Sequence, residues 1–184
     1  LRAAKQEGLA VTAEVAPHHL AFDHTATLAT DPAFKMYPPL RRREDVAALR
    51  QALADGTIDM VGTDHAPHAG HEKDVPFEDA PRGVLGLETA VGVVLGAVGL
   101  GPQELFARMA LAPALLAGWP GGGQGLAVGG PATITVIDPN AEWVVERFES
   151  RAANSPWRGQ RLKGRARHAL LRGRPTLCDF EVQG

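Results

Sequence analysis

The sequence predicts an α/β fold that ends in a β module, and three observations predict it. Helix-then-strand patterning occurs twice before residue 64, over residues 1–15 and 42–63. Helical patterning returns over residues 86–117. Beyond a glycine-rich connection at residues 119–130, apolar residues alternate as they do in strands. Helices alternating with strands indicate a parallel sheet with helical crossovers, and the change of pattern marks a second unit.

Each element follows from local chemistry. Residues 1–5 are expected to be the last turns of a helix stopped at Gly8, and residues 9–15 alternate as a strand. The opening reads as a helix whose start is missing, so the chain is expected to be a fragment. Pro17-His18-His19 reads as a turn. The stretch to Pro39 is a long connection with weak helical character over 21–30 and breakers at Pro32, Pro38 and Pro39. Over residues 42–54, Val46, Leu49 and Leu53 lie at helical spacing, Glu44 and Asp45 sit in the first turn, and Gly56 closes the helix. Residues 58–63 form a short apolar run, the pattern of a strand buried on both faces. A polar loop over 64–83 leads to helices expected at 86–98 and 102–117, the second opened by Pro102. Strands are expected at 132–137 and 167–171, then a turn at Gly173-Arg174 and a last strand ending near Val182. The expected domains are residues 1–120 and 121–184.

Composition narrows the function classes. With 45% hydrophobic and 22% charged residues, the chain has the make-up of an ordinary globular protein. A formal net charge of -2 gives no electrostatic reason to expect nucleic acid or an anionic membrane as partner, so a small molecule fits better. The apolar stretch over 84–100 is interrupted by Glu88 and by glycines, too short and broken to cross a bilayer. One cysteine, Cys178, provides neither an internal disulfide nor a thiolate metal site, which favours a reducing, cytoplasmic setting.

The chemistry-bearing segment is Thr63-Asp64-His65-Ala66-Pro67-His68, where the strand at 58–63 ends. In parallel α/β folds, ligands and catalytic groups gather at the C-terminal ends of strands. A carboxylate there can bind a metal and accept a proton from its bound water, so Asp64 could serve both purposes. The same position also suits a helix cap or turn former. His68 can present a donor to a substrate oxygen, and His65 is assigned to loop support. His18 and His19 look like paired ligands, but neighbours on an extended chain point to opposite sides, so packing or hydrogen bonding at the strand end is expected. His24, His71 and His168 are read as surface or loop histidines. Lys35-Met36-Tyr37-Pro38-Pro39-Leu40-Arg41 reads either as a rigid proline turn before a helix or, because it follows one strand-end loop as the Asp64 segment follows the next, as part of a cavity shared with that segment. Arg82-Gly83 closes the long loop, where glycine lets backbone approach a ligand, although a helix-entry turn explains it equally.

Together these segments resemble class I dihydroorotases of the amidohydrolase superfamily. The resemblance rests on Val11-Thr-Ala-Glu-Val-Ala-Pro-His-His-Leu20, Lys35 to Arg41, Asp59-Met-Val-Gly-Thr-Asp-His-Ala-Pro-His68, Gly86-Leu87-Glu88-Thr89, and Ser155-Pro156-Trp157 with Gly159 and Leu162-Lys163-Gly164. They run in the family's order over nearly the whole chain. Related hydantoinases and allantoinases share the aspartate but usually lack a histidine at the position of His68. The resemblance implies the C-terminal part of a (β/α)8 TIM barrel, strands seven and eight, with part of a small β-sandwich domain. It implies zinc, and the reversible cyclisation of N-carbamoyl-L-aspartate to L-dihydroorotate in pyrimidine synthesis. It makes Asp64 the metal ligand and acid/base, and gives substrate contacts to Tyr37, His68, Arg82 and Gly83. Most other family ligands would precede Leu1, so the isolated chain is expected to be inactive. Tyr37 stands where the family usually has Asn, which leaves open another cyclic-amide hydrolase of hydantoinase or allantoinase type. Also open are a homodimer, association with aspartate transcarbamoylase, and a non-catalytic subunit supporting that enzyme.

Overall fold

A computed structural model describes residues 1–119, 122–123 and 125–184. The expected domain boundary, between Pro120 and Gly121, lies outside the described residues. The chain opens with helix α1 (Arg2–Gln6), stopped where Gly8 takes φ +79°. Strand β1 (Glu14–Val15) follows, much shorter than the seven residues expected. Pairing limits it: β1 lies parallel to β2 (Met60–Val61), Glu14 opposite Met60 and Val15 opposite Val61, in a two-stranded sheet. The apolar run at 58–63 likewise has only two residues in ladder register. Ahead of the strand proper, Ala13 accepts from the amides of Asp59 and Met60, and the Asp59 carboxylate accepts from Ala13 N–H at 2.9 Å while pairing with Lys5 at 2.6 Å.

The Pro17-His18-His19 turn is instead a short helix, α2 (Pro17–Ala21), with Pro17 in its first turn, where the missing N–H costs nothing. Two 3-10 turns, His24–Thr27 and Pro32–Phe34, are capped by the Asp23 and Asp31 side chains. Helix α3 (Arg43–Ala54) forms where the apolar spacing predicts it. The Asp45 carboxylate reaches back to Arg42 N–H at 3.1 Å, and Gly56 at φ +83° carries the chain away. A short α4 (Gly70–Lys73) interrupts the expected loop.

Helix α5 (Ala90–Val98) begins four residues later than the patterning at 86 suggests. Residues 87–89 form a turn because Gly86 is drawn against the end of β2: a Cβ there would lie 2.4 Å from Thr63 O. The helix expected at 102–117 is continuous but not uniform. It runs as α6 (Pro102–Phe106), a π-helical turn at Ala107–Leu111, and α7 (Ala112–Leu116). Pro113 lies in the first turn of α7, so it can donate no i→i−4 bond and its ring would crowd Met109 O; the widened turn accommodates this.

Leu20, Leu53, Ile58, Val61, Val94, Leu100 and Leu105 surround Val15 in one buried cluster, covering one face of the paired strands with α3, α5 and α6. Each fully buried Leu or Val contributes about 1.5–3 kcal/mol relative to exposure. The tail is one antiparallel sheet in the order β3 (Ile134–Val144), β4 (Arg161–Leu171), β5 (Arg174–Cys178), β6 (Glu181–Val182). The strands at 132–137 and 167–171 thus extend further than expected. A second sheet layer, as a sandwich would have, is not among the described residues. The turn into β5 is Arg172-Gly173, one residue earlier than expected, and both residues have positive φ, as a two-residue hairpin requires.

Tail and α/β part meet closely. A Cβ on Gly92 of α5 would lie 2.9 Å from Gly164 O of β4, and one on Gly164 would lie 2.5 Å from Leu95 Cδ1. Val93, Val145 and Trp157 bury this seam, flanked by Phe22 and Trp143. Among the described residues, no helix is long and apolar enough to cross a membrane.

Candidate active site

Asp64 lies three residues beyond β2, with φ +50°, a left-handed conformation that L residues other than Asn and Asp take at a cost. Its neighbour fixes that bend. His65 Nδ1 accepts from the Gly86 N–H at 3.1 Å, and from Leu87 N–H at 3.4 Å, so the ring proton resides on Nε2. This is the loop-supporting role expected of His65. The Asp64 side chain remains 47% exposed, and its nearest ionisable contact is His18 Nε2 at 3.7 Å.

His18 packs, as expected, but on a helix rather than on the extended chain assumed for it. On α2 it is 1% exposed, and neither ring nitrogen has a hydrogen-bond partner among the described residues. Burial, reinforced by His19, pushes its pKa down to about 3, so the imidazole is neutral near pH 7. The contact with Asp64 is therefore not an ion pair, and 3.7 Å exceeds hydrogen-bonding range. His19 does behave as expected, bonding through Nε2 to Pro38 O at 2.9 Å.

The remaining predicted residues converge a few residues away. Gly83 N–H donates to Lys35 O at 2.9 Å, joining the proline segment to the long loop. The Arg82 guanidinium stands 4.9 Å from the centre of the Tyr37 ring, and His68 Nε2 donates to Arg82 O at 2.8 Å. His68 Nδ1 lies 3.9 Å from the Glu72 carboxylate. Gly83, buried at φ +124°, packs so tightly that a Cβ would lie 2.5 Å from Ala66 Cβ and 3.2 Å from His68 Nε2. Tyr37, Arg82, Lys35, Phe34 and Phe77 line one cleft of about 390 Å³, but no residue of the Asp64–His68 segment lines it, so it is not the cavity expected to be shared by the two segments. The Asp64 carboxylate makes no hydrogen bond or ion pair with this group among the described residues.

Two further residues hold the loop. Lys73 Nζ donates to Pro32 O at 2.9 Å and Pro81 O at 2.8 Å. Burial and nearby Lys35 lower its pKa to about 8, against the opposing pull of Asp31. Asn154, from the tail, is 7% exposed and bonds to Ala66, His68 and Gly83. Nothing in the local sequence marked it, because its partners are more than 70 residues away and are all backbone atoms.

Among the described residues, no three His, Cys, Asp or Glu side chains are grouped to hold a metal. A catalytic zinc takes about three protein ligands, so the side chains present do not form such a site by themselves. Chemically the chain offers a solvent-accessible carboxylate beyond a strand end and, separately, a cleft lined by the Arg82 and Tyr37 side chains.

No protein-family model matches the chain. Among curated proteins, it is 48% identical over 181 residues to a dihydroorotase of Anaeromyxobacter dehalogenans, covering 95% of this chain and 41% of that protein. A dihydroorotase of Pelotomaculum thermopropionicum is 48% identical over 189 aligned positions, and one of Mycobacterium tuberculosis 46%; each match covers 100% of this chain and 44% of the relative. Similar solved structures are a D-hydantoinase (dihydropyrimidinase) from Thermus sp., with TM-score 0.87, 27% identity and coverage of 100% of this chain and 43% of that one. An L-hydantoinase from Arthrobacter aurescens has TM-score 0.85 and 28% identity, covering 99% of this chain and 42% of its own. The chain is thus a dihydroorotase homologue along its whole length, spanning about two fifths of the curated relatives it matches.

Proposed function

We propose that this chain supplies one wall of the active site of a dihydroorotase, a cyclic amidohydrolase that reversibly converts N-carbamoyl-L-aspartate to L-dihydroorotate in pyrimidine synthesis. In this reading β1 and β2 are strands seven and eight of a (β/α)8 barrel, and residues 121–184 belong to a separate β domain. The observation that carries it is Asp64, held in a left-handed bend at the strand end with an accessible carboxylate. Opening a cyclic amide requires a base to take a proton from attacking water and an acid to protonate the departing ring nitrogen. One carboxylate can accept the first proton and deliver the same proton to nitrogen. Asp64 is assigned both steps. Tyr37, His68 and the Arg82-Gly83 backbone are assigned to hold the substrate.

Zinc belongs to this proposal with Asp64 as one ligand and about two more protein donors from beyond this chain. When bound, such an ion lowers the pKa of water and polarises a carbonyl. Asp64→Asn in the intact protein keeps the shape but removes the base. Turnover of L-dihydroorotate should fall by about 10²–10⁴-fold. An active variant would exclude the proton-transfer role. A second reading, a hydantoinase-type enzyme, is favoured by Tyr37, since a phenol offers one hydroxyl where an amide offers a donor and an acceptor. Faster turnover of hydantoin or dihydropyrimidine than of dihydroorotate would decide for it.

A further inference from the structure

The Asn154 side chain makes three of its four possible hydrogen bonds, all to backbone of the two arms of the 64–83 loop. Its amide nitrogen donates to Ala66 O at 2.9 Å and to Gly83 O at 3.2 Å, and Oδ1 accepts from His68 N–H at 3.0 Å. Its main-chain carbonyl accepts from Leu85 N–H at 3.0 Å. The group is 7% exposed, so these bonds have little competition from water. Two donors and an acceptor in one rigid plane are what the site demands. Aspartate would aim a charge at two carbonyl oxygens, and alanine would leave them unpaired. Three residues on, Trp157 is 2% exposed in the cluster with Val93 and Val145, which anchors the segment carrying Asn154. The arms it ties are those joined by the His68 to Arg82 bond.

We infer that Asn154 is a positioning residue, through which the tail sets the spacing between His68 and the Arg82-Gly83 backbone and so the affinity of the cleft for its substrate. The inference rests on the reading above that these groups contact the substrate. Losing the tie frees two loop arms without touching the Asp64 carboxylate, so binding should suffer more than chemistry.

The test uses the intact protein and Asn154→Ala. Hydrogen exchange of the His68 and Leu85 amides should speed up at least tenfold, while Leu53 in α3 keeps its protection. KM for L-dihydroorotate should rise at least tenfold, with kcat falling less than threefold. Unchanged exchange at His68, or equal loss at Leu53, would overturn the positioning role. So would faster local exchange with KM unaltered. Should the variant not fold, the wild-type protein still decides: a His68 amide exchanging as fast as that of exposed Gly70 would refute the tie. If exchange responds as stated but the wild-type protein turns over no dihydroorotate, the substrate assignment fails while the structural tie stands.

Discussion

Gly83→Ala probes the closest packing in the site. Gly83 has φ +124°, a region open essentially to glycine alone, and an alanine forced into it carries about 1–3 kcal/mol of backbone strain. Its methyl would lie 2.5 Å from Ala66 Cβ, more than an ångström inside ordinary carbon contact. Overpacking of this kind costs about 1–3 kcal/mol. The alanine also restricts the unfolded chain, which returns about 0.4–1 kcal/mol. The net expectation is a loss of about 2–5 kcal/mol. Gly99→Ala is the matched control: φ +70° at the end of α5, with nothing within 4 Å of the new methyl. Strain alone, about 1–2 kcal/mol before the same entropic return, should apply there. Urea denaturation of both variants in the intact protein measures the difference. Adding Ala66→Gly to Gly83→Ala removes the clashing methyl and should recover roughly the overpacking part. If Gly83→Ala costs no more than Gly99→Ala, or the second substitution restores nothing, the close-approach argument is wrong.

Two further outcomes follow from burial. Leu53 is 0% exposed beneath the paired strands, and Leu53→Ala should cost about 2–5 kcal/mol in the same denaturation measurement; a loss under 1 kcal/mol would mean the cluster is not the core described. Lys73, with a folded pKa of about 8 against the usual 10.5, loses its proton before the unfolded chain does. Between pH 8 and 10.5 the unfolded state binds more protons, so the stability of the wild-type protein relative to Lys73→Met should rise across that window and stay flat below pH 7. A relative stability that falls over the same window would reverse the assignment.

Local sequence carried the placement of helix α3, because its signals lie within one helical repeat: Val46, Leu49 and Leu53 on one stripe, acids in the first turn, and a glycine after it. It equally carried the position of Asp64 beyond a strand end, whereas the junction of the Tyr37 segment with the Arg82-Gly83 loop, made by the Gly83 to Lys35 bond, was not foreseen. Strand lengths were not legible there. Apolar runs at 9–15 and 58–63 show what can be buried, whereas only two residues of each find ladder partners. The delayed start of α5 was hidden too, since it depends on Gly86 meeting Thr63 O across the loop.

The available chemistry is legible in the chain's residues alone: the Asp64 carboxylate, His68, the Arg82-Gly83 pair and the order of motifs shared with dihydroorotases. Tertiary structure decided what that chemistry rests on. The helical turn that buries His18 beside Asp64, and the Asn154 amide that ties His68 to Gly83, join groups 46 and 71 or more residues apart. Periodicity and turn signals report a residue's relation to near neighbours along the chain, while these contacts arise only when packing around Trp157 and the α5 to β4 seam fixes distant backbone in place.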